Sequence, residues 1–247
     1  MHLTHLPKIG TKLNWIASTT LSALVGLWVA RWLFPTAFNS EVWEWRKTPV
    51  EWDIFGLELS FICDGMCVRW DVIGFSLLSG LWVAGGQSAI VCGLLRRIAN
   101  ANRYWWIWLA ITWIGVSGGI MAYSQWGNGG LHPYLIFSWG FSIIPLFPGI
   151  VFLGFGQGMI LLLALDPKDI LPLKYLIMTL IGAVSSFILI PIVLILSASL
   201  TFINFERGGD FLIFVVSFTV FFFNISLFQS FVLERAFKSK MNGTATR

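Results

Sequence analysis

Apolar residues run along this chain in six long stretches, each close to or beyond the roughly twenty residues that a helix needs to cross a bilayer core. They cover about 14–34, 72–95, 104–124, 134–165, 170–203 and 211–233. Charge stays at their ends. Arg31 closes the first, Asp71 and Arg96 bound the second, and Lys174 stands near the start of the fifth. In lipid the backbone must satisfy its own N–H and C=O groups, which leaves helix as the sensible state for such a run. That holds even for the strand-like FLIFVVSFTVFFF. Pro145 and Pro148 interrupt the fourth stretch and Pro191 lies inside the fifth, so kinks or breaks are expected there.

The polar segments between the stretches alternate in charge. Lys8, Lys12, Arg96, Arg97, Arg103, Lys168, Lys174, Arg235, Lys238, Lys240 and Arg247 fall on one face of a six-pass chain. The opposite face has Arg46, Lys47, Arg69 and Arg207, together with most of the carboxylates. Lys and Arg collect on the cytoplasmic side, so both termini are expected there. The run that follows Lys8 and Lys12 is too long for a signal-peptide core and has no small-residue cleavage site after it, so it is expected to be a retained first helix.

A polar motif recurs inside the apolar stretches. Gln87-Ser88 lies in GGQSAIVCGLLRR, Gln157-Gly158 in GFGQGMILLLALDPK and Gln229-Ser230 in LFQSFVLERAFK, at spacings of 70 and 72 residues. Each glutamine precedes a polar, mostly basic segment. Aromatic residues open the alternate stretches at Trp15, Tyr104-Trp105-Trp106 and Tyr175, where rings prefer the headgroup level. The expected fold class is therefore all-α integral membrane, with six transmembrane helices arranged as three repeated hairpins in one domain. The repeats span about 14–97, 103–168 and 170–240. The first carries some twenty extra residues in its outer loop, about 36–70. This loop holds Trp43, Trp45, Trp52 and Trp70, and its WEWRK alternates as a half-buried strand would. It reads as a segment lying on the bilayer interface or capping the bundle, with a binding surface for a sugar, pigment or partner as the alternative.

Composition closes off other classes. The chain is 57% hydrophobic and 11% charged, with mean hydropathy +0.79. A soluble domain carries about 25% charged residues. The net charge of +4 is a topology signal here and no argument for nucleic-acid binding.

Candidate chemistry is thin. Gln87, Gln157 and Gln229, with Ser88 and Ser230, form the candidate polar cluster. Gln87 stands roughly 12 Å inside from the basic end of its helix, at about 1.5 Å per residue. The small residues around the three amides favour helix packing, and a site for a ligand or lipid headgroup is the other reading. Cys63 and Cys67 form C-x3-C on the outer face. A disulfide, two free thiols or a metal or redox site all remain open for them. Cys92 reads as a packing residue. Arg96, Arg97, Arg103, Arg235 and Lys238 make a cytoplasmic rim suited to anionic lipids or an acidic partner. No cofactor and no metal ligand set is expected: His2, His5 and His132 lack companions at ligand spacing. Ionisable residues deep in the helices, usual in proton-coupled carriers, are missing.

Gln87…Leu95-Arg96-Arg97 followed by Trp105-Trp106, and Gln229…Leu233-Glu234-Arg235, resemble a multi-helix membrane domain common in cyanobacteria. That domain stands alone or forms the membrane tail of serine/threonine kinases, with a recurring Gln-Trp…Leu-Arg-Arg signature. Here Ser or Gly follows each glutamine, and the middle copy ends in Asp166-Pro167-Lys168. The resemblance implies a bacterial cytoplasmic or thylakoid membrane and no activity. The expected role is a non-catalytic scaffold, assembly factor or sensor-type subunit within a larger membrane complex. A channel or carrier for a neutral or hydrophobic solute is the alternative, and a membrane-surface lipid enzyme is a third.

Overall fold

The computed structural model describes residues 10–38, 50–54, 57–61, 70–95, 102–126, 147–165, 171–201 and 209–245. Six helices in it are long and apolar enough to cross a membrane. They are α1 (Gly10–Leu33), α2 (Trp70–Leu95), α3 (Trp105–Trp126), α4 (Phe147–Leu165), α5 (Leu171–Thr201) and α6 (Gly209–Ala245). The expected multi-pass helical class is what the chain adopts.

The helix ends follow local chemistry. Pro148 sits in the first turn of α4 and Pro172 in the first turn of α5, positions whose N–H has no intrahelical partner to lose. Asp71 opens α2, where its carboxylate accepts from the Val72 N–H at 2.9 Å and meets the positive end of the helix dipole. Pro191 does not break α5, which runs through it. The lost N–H is tolerated where neighbouring structure carries the helix. The helix of the fourth span is described from Phe147, and 134–146, with Pro145, lie outside the described residues. One further expectation shifts. α6 continues well past residue 233 to Ala245. Ala236 and Phe237 in that extension are buried, so packing carries the helix beyond its apolar run.

Between α1 and α2 an antiparallel hairpin pairs β1 (Val50–Ile54) with β2 (Leu57–Phe61). Its register sets Val50 opposite Phe61, Trp52 opposite Leu59 and Ile54 opposite Leu57. An all-helical expectation overlooks this pairing. Outside the apolar spans a segment with period-two alternation can satisfy its backbone by strand pairing. Trp43 and Trp45, in the WEWRK segment, lie outside the described residues.

Each helix packs against its sequence neighbours, and α6 also packs against α1. The core divides into two apolar clusters. One is centred on Leu27, Phe75, Val83, Ile120, Leu153 and Ile225, the other on Trp15, Val91, Trp108, Leu161, Tyr175 and Leu233. Between the two clusters each of the six helices places a buried threonine or glutamine, and these form the candidate site below.

Lipid is as apolar as this core, so helix association depends on close packing. α3 and α4 approach backbone to backbone at Gly149. A methyl group there would come to 2.8 Å from the Gly115 carbonyl oxygen and 3.0 Å from the Gly119 Cα. Both contacts are backbone and cannot swing away. Gly149→Ala is expected to cost about 1–2 kcal/mol by overpacking. Gly118→Ala, with nothing within 4 Å of the added methyl, should be neutral or stabilise through helix propensity by up to about 1 kcal/mol. Equal midpoints for the two variants in detergent denaturation would rule out backbone contact between α3 and α4.

Candidate functional site

The three glutamines meet. Gln157 Nε2 donates to Gln87 Oε1 at 2.8 Å, and Gln229 Nε2 donates to Gln157 Oε1 at 3.3 Å. α2, α4 and α6 are thereby joined amide to amide. Two threonines extend the layer from the odd-numbered helices. Gln157 Nε2 also donates to Thr112 Oγ1 at 2.7 Å, and Gln229 Nε2 to Thr179 Oγ1 at 3.1 Å. Thr179 in turn donates to the Tyr175 carbonyl at 2.8 Å. All three glutamines and both threonines are 0% exposed. Bonds between neutral groups enclosed this way are close to their full electrostatic strength, and breaking one strands its partner.

An aromatic layer lies one helical turn away. Trp15, Trp108 and Tyr175 each precede a buried threonine by four residues: Thr19, Thr112 and Thr179. Trp108 is the middle ring. Its centroid lies 5.9 Å from that of Trp15 and 6.1 Å from that of Tyr175, both contacts edge-to-face, a favoured arrangement of ring quadrupoles. These rings are at most 1% exposed. Trp15 and Tyr175, expected at the headgroup level, both point into the bundle. Trp105 and Trp106, near the start of α3, are exposed instead, at 37% and 58%.

Sequence reasoning missed Thr19, Thr112, Thr179 and Trp108. The available signal was the aromatic-x3-Thr spacing, which puts both side chains on one helix face. It also missed Asn224, whose Nδ2 donates to Ser186 Oγ at 3.3 Å and so links α6 to α5. Ser88 and Ser230, expected with the glutamines, do not join the layer. Ser230 donates to the Leu227 carbonyl of its own helix at 2.6 Å, and the buried Ser88 hydroxyl has no bond to any glutamine. A residue adjacent to the glutamine lies about 100° around the helix and faces elsewhere.

Of the basic rim, Arg103 and Arg235 are exposed. Lys238 lies within α6, and Arg96 and Arg97 fall outside the described residues. Cys63, Cys67, Asp64 and His132 also fall outside them. Cys92 is half-buried and unpaired. At the same end of the bundle Lys12 Nζ lies 2.6 Å from Glu234 Oε2 and 4.4 Å from the centre of the Phe231 ring, which clasps α1 to α6. On the other side of the polar layer an apolar cleft of about 30 Å³ is lined by Gly115, Gly119, Gly149, Phe218, Phe221 and Ile225, among others.

Compared with family models, curated proteins and solved structures, the chain matches none.

Proposed function

We propose that this is a non-catalytic, multi-pass membrane protein built from three repeated helical hairpins. In this reading both termini are cytoplasmic and the membrane is the bacterial cytoplasmic or thylakoid membrane. Its role is that of a scaffold, assembly factor or sensor-type subunit of a larger membrane complex. One observation carries the proposal. The most conspicuous polar groups of the membrane region are directed at one another, with no exposed edge through which a substrate could reach them. Enclosed amides of this kind hold helices in register.

The threefold reading is supported by two matching units. Gln157 of α4 donates to Thr112 of α3, and Gln229 of α6 donates to Thr179 of α5. α1 and α2 carry Thr19 and Gln87 at the corresponding places. The exposed Arg103 and Arg235 suit contact with anionic lipid headgroups at the cytoplasmic rim.

A second reading, a channel or carrier for a small apolar solute, draws on the cleft beside Gly115 and Phe221. One experiment separates the two. The tagged chain is extracted from its native membrane in mild detergent and reconstituted into liposomes. Stoichiometric co-purification with a larger complex, without solute flux, is the expected result. A lone chain that passes neutral solutes would overturn the scaffold reading in favour of the carrier.

A further inference from the structure

We propose that Gln87, Thr19 and Gln229 together hold one ordered water molecule where α1, α2 and α6 meet. The hydrogen-bond pattern of the layer points to it. Gln157 and Gln229 each donate from Nε2 twice, once to a threonine hydroxyl and once to the oxygen of the neighbouring glutamine. If Gln87 followed the same pattern, its Nε2 would donate to Thr19 Oγ1 and Gln229 Oε1. Those three atoms, Gln87 Nε2, Thr19 Oγ1 and Gln229 Oε1, are the ones in the layer left without a protein partner. The residues that bear them are all 0% exposed. α1 packs against both α2 and α6, so the three come from adjoining helices.

The chemistry of these three groups selects their shared partner. They offer one amide N–H, one amide oxygen and one hydroxyl. A cation would need several oxygens and an anion several donors, and neither set is present. A water molecule accepts from Gln87 Nε2 and donates to Gln229 Oε1 and Thr19 Oγ1. That is three bonds, the usual number for a buried water. Each group would otherwise remain desolvated and unpaired, an outcome that buried polar groups rarely accept. The third edge of the layer is then water-mediated while the other two are direct, whatever partner the protein serves.

A structure of the lipid-reconstituted protein at a resolution that shows ordered water tests this. A density peak within about 2.7–3.2 Å of all three atoms is expected in the wild type. The same peak should persist in Thr112→Val, whose hydroxyl bonds elsewhere, and should be lost in Thr19→Val. Direct bonding of Gln87 to Gln229 with no peak between them overturns the proposal. So does a peak that survives unchanged in Thr19→Val. Should Thr19→Val fail to fold, the wild-type and Thr112→Val maps decide.

Discussion

Trp108→Ala is expected to destabilise the folded protein by about 2–4 kcal/mol. In water-soluble cores a buried Trp→Ala change costs about 3–5 kcal/mol, part of it transfer of the ring from water and part the cavity left behind. The transfer part largely drops out here, because an unpacked helix would expose Trp108 to lipid as apolar as the core. What remains is lost contact and an unfilled space between Trp15 and Tyr175, whose rings both rest edge-on against Trp108. Removing the middle ring unsupports both neighbours, so α1 and α5 lose a shared contact together. Trp106→Ala is the control. Its ring is 58% exposed, and surface changes of that kind stay within about ±0.5 kcal/mol. Reversible unfolding in mixed micelles measures both. Similar destabilisation in the two variants would sink the stacked-ring arrangement.

The distinction between those two tryptophans also shows where the sequence could and could not be read. The six spans were legible because lipid admits few alternatives for an uncharged apolar run, and Lys174 or Arg31 at a span end marks where it stops. The glutamines were legible because an amide within such a run stands out against Leu and Phe. Threonine does not. It is common in membrane helices, and Thr112 and Thr179 stand out only because a glutamine on the next helix reaches them. Trp105, Trp106 and Trp108 lie within four residues of chain, and a preference of tryptophan for the headgroups picks the first two. Only the match of Trp108-x3-Thr112 to Trp15-x3-Thr19 and Tyr175-x3-Thr179 singles out the third. Helix rotation is the missing variable: the helices are apolar on every side, so hydropathy carries little directional signal. The strand pairing of Val50–Ile54 with Leu57–Phe61 had a local signal of another kind, the period-two alternation of VEWDI and LELSF, although such alternation forms a strand only where a partner is at hand.

Rotation can be probed through the amides themselves, because their bonds are unequally shared. Gln157→Leu removes three bonds: those to Gln87, to Thr112 and from Gln229. Gln229→Leu removes two, and Gln87→Leu one. Leucine fills a volume similar to that of the amide, so packing changes little and polar effects dominate. An interhelical bond in a membrane protein contributes about 0.6 kcal/mol on average and at most about 1.7, since chains unfolded within the membrane also find partners. Three such bonds, with Gln87 Oε1 then left buried and unpaired, put Gln157→Leu at about 2–3 kcal/mol. Gln229→Leu follows at about 1–2 kcal/mol and Gln87→Leu at about 1 kcal/mol or less. The order is a stricter test than any single value. A binding site served by three equivalent amides would show comparable loss at each position and little loss of stability. A network centred on Gln157 must show the graded order in unfolding free energy, with the Gln157→Leu/Gln87→Leu double variant costing less than the sum of the two, because they share one bond. Strict additivity of that pair would mean that α2 and α4 do not meet through their amides.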